Sequence, residues 1–81
     1  MMKELRSGKK VSGVKQSRRA VRDDLALAVY LARDADPALT DPIRKLCLEK
    51  GVPIVDRCTM RELGQAAGIQ VGTAAAVLLK E

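Results

Sequence analysis

The spacing of apolar positions changes along the chain, and each change marks an element. Residues 9 to 13, Lys-Lys-Val-Ser-Gly, form a short stretch ending in glycine, which predicts an edge strand running into a turn. From Val14 to Arg22, the positions Val14, Ser17 and Val21 share one side at helical spacing with charge on the other, until Asp23 and Asp24 intervene. This is the first main helix. Leu25 to Leu31 reads Leu-Ala-Leu-Ala-Val-Tyr-Leu, an apolar run too short for an independent helix. It predicts a central strand buried on both faces. Arg33-Asp34-Ala35-Asp36-Pro37 ends that strand in a loop, because the residue before a proline avoids the α region and aspartate favours turns.

A second helix is expected over about Thr40 to Lys50. Thr40 or Asp41 can cap it, Pro42 fits a first turn, Ile43, Leu46 and Cys47 recur at i, i+3, i+4, and Gly51 terminates it. Val52 to Val55 predicts another short strand, with Pro53 near its start or at a sheet edge. Thr59-Met60-Arg61-Glu62 matches a capping box, so Thr59 opens a third helix that ends at Gly68. Thr73 to Leu79 has the alanine content of a helix, yet it is short, apolar throughout and adjoins Gly72, which favours a last strand. Strands alternating with helices at this spacing imply an α/β fold, a three-layer α/β/α sandwich around a small four-stranded mixed sheet.

Composition sharpens the picture. Eighty-one residues suffice for a single domain, and 47% apolar residues supply a core. With no Phe, no Trp and one Tyr, that core is built from Val, Leu, Ile and Ala in close contact. Cys47 and Cys58 have no histidine anywhere in the chain to join them, so they read as core thiols rather than a redox or zinc site. The amino-terminal stretch lacks an apolar leader core and no apolar run approaches a membrane span, so a soluble, cytoplasmic protein is expected, as a monomer.

Charge is unevenly placed. Residues 1 to 22 hold eight of the fifteen Lys and Arg against one acid, Glu4, a net +7, whereas the remaining 59 hold seven bases and nine acids, a net −2. Concentration at one end is the pattern of a nucleic-acid footprint or basic arm. Within the first helix Lys15, Arg18, Arg19 and Arg22 fall at i, i+3, i+4 and i+7, forming one stripe opposite Val14, Ser17 and Val21. Such a stripe can meet phosphates and base edges, and Gln16 beside it both donates and accepts. A merely solvated helix face competes with that reading. Against it stand the lack of acids within the stripe and the helix amino end after Gly13, whose N–H groups add to the same anion-binding face.

A second constellation is Gly68-Ile69-Gln70-Val71-Gly72, where two apolar residues lie in a glycine-bounded loop. Either Ile69 and Val71 fold back onto the core, or they offer an apolar surface to an extruded base. Asp34 and Asp36 resemble a carboxylate pair, but with no histidine or nucleophile beside them turn and cap roles fit better. The chain also lacks the glycine signatures of phosphate-binding loops.

Four segments in register now carry a resemblance: Gly13-Val14-Lys15-Gln16-Ser17-Arg18-Arg19-Ala20, Ala32-Arg33-Asp34-Ala35-Asp36-Pro37, Gly51-Val52-Pro53, and Leu63-Gly64-Gln65-Ala66-Ala67-Gly68-Ile69-Gln70-Val71-Gly72. Together, over nearly the whole chain, they resemble the kink-turn-binding ribosomal protein family (the "L seven Ae" group), most closely its short bacterial ribosomal-protein-like branch. The resemblance implies an α/β/α sandwich whose first long helix enters the opened groove of a kink-turn, an RNA bend stabilised by tandem sheared G·A pairs. The family makes those contacts with a Gly-x-Asn-Glu-x-x-Lys stretch. Here Gly13 matches its glycine, Lys15 stands for Asn, Gln16 for Glu and Arg19 for Lys, the Lys-Gln pair being that of the bacterial branch.

By the same resemblance Ile69, Gln70 and Val71 belong to a loop that packs on bulged nucleotides, and Thr40 falls near another contact position. The implied partner is structured RNA, whether ribosomal or regulatory, with no enzymatic activity, cofactor, membrane or small-molecule substrate. The competing expectation is a ribosome-associated protein-interaction scaffold with nonspecific RNA affinity.

Overall fold

The alanine-rich carboxyl-terminal segment is a strand, and it occupies an inner place in the sheet. The computed structural model describes Leu5 and residues 8–80; Lys3 and Arg6 of the basic segment lie outside them. In chain order the elements are β1 (Lys10–Ser12), α1 (Val14–Arg22), β2 (Ala26–Leu31), α2 (Pro37–Lys50), β3 (Ile54–Val55), α3 (Met60–Ala66) and β4 (Ala75–Leu79). The strands lie in the order β1-β4-β2-β3, with β4 antiparallel to both neighbours and β3 parallel to β2, so the sheet is mixed. β1 is an edge, as its short glycine-ended stretch predicts.

Period-two alternation explains why β4 is a strand despite its alanines. Ala75 and Val77 face a cluster containing Ala20, Val21, Ile43 and Cys47, while Ala76 and Leu78 face another containing Tyr30, Leu63 and Ala66. α1 and α2 therefore cover one face and α3 the other, the three-layer sandwich expected from the alternation of elements. The small side chains of β4 let both layers approach closely.

Two expectations are corrected. β2 is buried at its carboxyl half, but Leu27 is 52% exposed at a register irregularity between Ala26 and Ala28, and Leu25 before it is 53% exposed. The local bulge turns one residue away from the layers that cover its neighbours. α2 begins at Pro37, not near Thr40: the Asp36 carboxylate accepts the Ala38 N–H at 3.0 Å, and Pro37 takes the first helical position, where its missing N–H costs nothing. Pro42 consequently sits inside the helix rather than in its first turn, at the loss of one backbone hydrogen bond. α2 does end at Gly51, in left-handed conformation.

Two boundaries also shift: β3 covers only Ile54–Val55 of the expected Val52 to Val55, and α3 ends at Ala66, short of Gly68. The capping box is complete: the Glu62 N–H donates to Thr59 Oγ1 at 3.2 Å and the Thr59 N–H to Glu62 Oε1 at 2.9 Å. That backbone donor holds the Glu62 carboxyl below the usual carboxylate range. Cys47 and Cys58 are buried in different clusters, on opposite faces of the sheet, and burial pushes both thiols up. Among the described residues no helix is long and apolar enough to cross a membrane.

Ser17, on the inner side of α1, is fully buried, and among the described residues its hydroxyl has no hydrogen-bond partner. An unpaired buried hydroxyl is destabilising, so Ser17→Ala is expected to raise the unfolding free energy by about 1 kcal/mol in a urea titration. The exposed face of α1 is untouched by that change, and nucleic-acid affinity measured alongside is expected to stay the same.

Candidate functional site

Because β4 runs against β1 and β2, its amino end lies at the same end of the sheet as their carboxyl ends: Ser12 pairs with Ala76 and Leu31 with Ala75. The turn into α1, the connection 32–36 and the loop 67–74 therefore converge. One carbonyl joins two of them. Ala75 O accepts both the Gly13 N–H at 2.8 Å and the Thr73 hydroxyl at 2.9 Å, tying the start of α1 to the end of the glycine-bounded loop.

Gly13 is the N-cap of α1 with φ 99, a conformation open to glycine and strained for other residues. It supplies no side-chain cap, so the first-turn N–H groups of α1 keep their capacity for an outside acceptor. The helix then buries Ser17, Ala20 and Val21 and exposes the whole cationic stripe. Lys15, Arg18, Arg19 and Arg22 border one continuous shallow depression running roughly 10 Å along the helix axis. Among the described residues Lys15, Arg18 and Arg19 have no acidic partner, and Arg22 Nε has only an exposed contact with Asp23 Oδ1 at 3.6 Å. Pairs of that kind contribute little, so the stripe keeps its charge available. Gln16 lies on the flank facing β1, beside Arg19.

The loop is held from beneath. A Cβ on Gly64 would collide with the Val71 carbonyl oxygen, and one on Gly72 would come within 3.2 Å of Met60 O. Both glycines are therefore places where backbone packs directly on α3. The Ile69 N–H donates to Gly64 O at 3.0 Å and the Thr73 N–H to Met60 O at 3.1 Å. The two alternatives for the loop divide between its residues: Ile69 is half-buried, whereas Gln70 is exposed and Val71 is 71% exposed. Val71 is thus an apolar side chain held in solvent by a fixed backbone.

The acidic residues have structural work. Asp36 caps α2, and Asp34 Oδ1 accepts the Met60 N–H at 2.8 Å, joining the 32–36 connection to the first turn of α3. Thr40 is 6% exposed within α2, on the same buried side as Ile43 and Cys47, so its side chain is not part of the exposed face. Gly64 and Thr73, which the sequence did not single out, are the supports of the loop. A signal existed for the first: glycine inside a capped helix is a poor helix former and marks a close approach.

The model of the ribosomal protein L7Ae/L30e/S12e/Gadd45 family matches residues 1–81. An RNA-binding protein of Geobacillus sp. (strain WCH70) is 41% identical over 78 residues, 96% of this chain and 95% of its own. An RNA-binding protein of Bacillus pumilus (strain SAFR-032) is 44% identical over 69 residues, covering 85% of this chain and 84% of that one. Among solved structures, the Giardia lamblia 15.5kD RNA binding protein superposes with a TM-score of 0.91 at 27% identity, over 99% of this chain and 71% of that chain.

Proposed function

The chain belongs to the ribosomal protein L7Ae/L30e/S12e/Gadd45 family, and from that premise we propose that it grips the kink-turn of a structured RNA between the α1 stripe and the 69–71 loop. It is an RNA-binding protein and not an enzyme. In the finer reading Arg19 and Gln16 meet the edges of the sheared G·A pairs, since a guanidinium matches guanine O6 and N7, and a carboxamide both donates and accepts. Lys15, Arg18 and Arg22 meet phosphates, which position the RNA without reading sequence. Val71, with the half-buried Ile69 behind it and Gln70 beside it, supports an extruded base.

The observation that carries this reading is the shared acceptor at Ala75, because it fixes the amino end of the stripe beside the loop at one end of the sheet. A straight duplex presents one continuous groove. A sharply bent RNA offers a groove and a displaced nucleotide together, and this arrangement suits both at once. The stripe on a single rigid helix also favours an RNA groove over a protein partner. A gel-shift comparison of a kink-turn with the same RNA lacking its sheared pairs tests it. The expected preference for the intact kink-turn is at least tenfold, from one bidentate base contact. Equal affinities would reduce the protein to a nonspecific polycation binder.

A further inference from the structure

The strand order β1-β4-β2-β3 fixes which segments stand side by side at the end of the sheet that carries the 67–74 loop. β1, β2 and β3 finish at that end and β4 starts there, because β4 is antiparallel to β1 and β2, and β3 is parallel to β2. Across it, the start of α1 comes first, then the end of the loop, then Ala32-Arg33 and last Asp56-Arg57. Three strand spacings of about 4.8 Å make that row roughly 14 Å wide. The loop therefore has cations on both sides. Arg33, Arg57 and Arg61 form the second group. The Arg33 N–H donates to Cys58 O at 2.8 Å, which sets Arg33 against the residue after Arg57. Arg61 stands in the first turn of α3 beside Met60, whose N–H is held by Asp34, the neighbour of Arg33. All three arginines are exposed, and among the described residues no ion pair or hydrogen bond uses their guanidinium groups. The carboxylates nearby are engaged elsewhere: Asp56 with Arg44 Nη1 at 3.0 Å, Asp34 with the Met60 N–H at 2.8 Å, and Glu62 with the Thr59 N–H at 2.9 Å.

We propose that Arg33, Arg57 and Arg61 hold the phosphate backbone of the second arm of the bent RNA, the arm beyond the bend from the one lying along α1. An open guanidinium matches a phosphate with two parallel hydrogen bonds, which makes an RNA backbone the fitting partner for three of them. The position of the group selects the arm. α1 and α3 cover opposite faces of the sheet, so the α1 stripe and Arg61 diverge from the loop on its two sides. A straight helix seated on the stripe runs away from the second group. A helix folded sharply at the loop has backbone on both sides of it. The inference rests on the kink-turn reading and deepens it: the loop takes the apex, and each arm has its own set of cations.

The test uses the whole protein with a kink-turn carrying two long arms, and with the same RNA after either arm is cut back to the base pairs next to the bend. Gel shifts over a range of salt give the affinity and its salt slope for each RNA. Replacing Arg33, Arg57 and Arg61 together by glutamine is expected to weaken binding of the two-armed RNA by about tenfold or more at low ionic strength. The slope is expected to flatten by about 2.7, the sum of three phosphate contacts. Shortening one of the arms is expected to weaken the wild type comparably and to cancel the effect of the substitutions, whereas shortening the other leaves that effect in place. The preference for sheared pairs should persist in the variant, because phosphate contacts read no bases, and a urea titration checks that the variant is folded. The proposal is overturned if the substitutions leave the two-armed RNA unchanged, or if they weaken all three RNAs alike, as a diffuse charge effect would. Equal wild-type affinity for intact and unsheared two-armed RNAs removes the kink-turn reading and this inference together. A kept preference without dependence on either arm removes this inference alone.

Discussion

Gly64→Ala is expected to lower the unfolding free energy by about 1–3 kcal/mol and to weaken kink-turn binding by roughly tenfold. The methyl group would meet the Val71 carbonyl oxygen, with the Val71 carbonyl carbon and the Gly72 Cα next in line. All three are backbone atoms, so no side-chain rotation relieves the clash. The loop has to lift from α3, which strains the hydrogen bonds from Ile69 to Gly64 and from Thr73 to Met60. Val71 then loses its fixed position, and with it the proposed contact with an extruded base. Gly72→Ala serves as the graded control: its nearest contact is Met60 O at 3.2 Å, which a small adjustment accommodates, and its penalties are expected to be smaller on both scales. Urea denaturation and gel shift on the same two variants decide the matter. Wild-type stability and affinity for Gly64→Ala would show that the loop is not held from α3.

The features most legible in the sequence were those whose cause is local. α1 was readable to the residue because a glycine, an amphipathic run and two aspartates bound it within a dozen positions. The capping box of α3 was readable because its donors and acceptors are three residues apart. β4 was readable by its continuous apolar character, since an inner strand covered on both faces tolerates nothing else. What escaped depends on contacts across the fold. Asp36-Pro37 reads as a chain break, and only the direction of the following backbone shows that it is a helix start. The bulge that exposes Leu27 arises from pairing with β4, which lies some fifty positions along the chain. Asp34 reaches α3, twenty-six residues away. The site divides in the same way. The stripe could be placed on one face from its period alone. That the loop stands beside the amino end of that stripe follows from the antiparallel course of β4.

Charge and sequence reading in the stripe are expected to separate under mutation. Lys15, Arg18 and Arg22 are assigned to phosphate, and each such contact contributes roughly −0.9 to the slope of log affinity against log salt. Replacing all three by glutamine is therefore expected to flatten that slope by about 2.7 and to weaken binding by more than a hundredfold at low ionic strength. The ratio of affinities for intact and unsheared kink-turns should survive, because phosphate contacts carry no sequence information. Arg19→Ala is expected to show the opposite signature. Its slope should change by about 1 at most, while the ratio falls by roughly tenfold through loss of a bidentate base contact. The stripe is one face of one helix, so a protein that used it only as a polycation would respond to each removed charge alike. Equal effects of Arg18→Ala and Arg19→Ala on both slope and ratio would place the whole stripe on phosphate and leave recognition of the bend to the 69–71 loop alone. Unequal effects make α1 itself the reading element, with its middle arginine directed at bases and the others at the backbone that frames them.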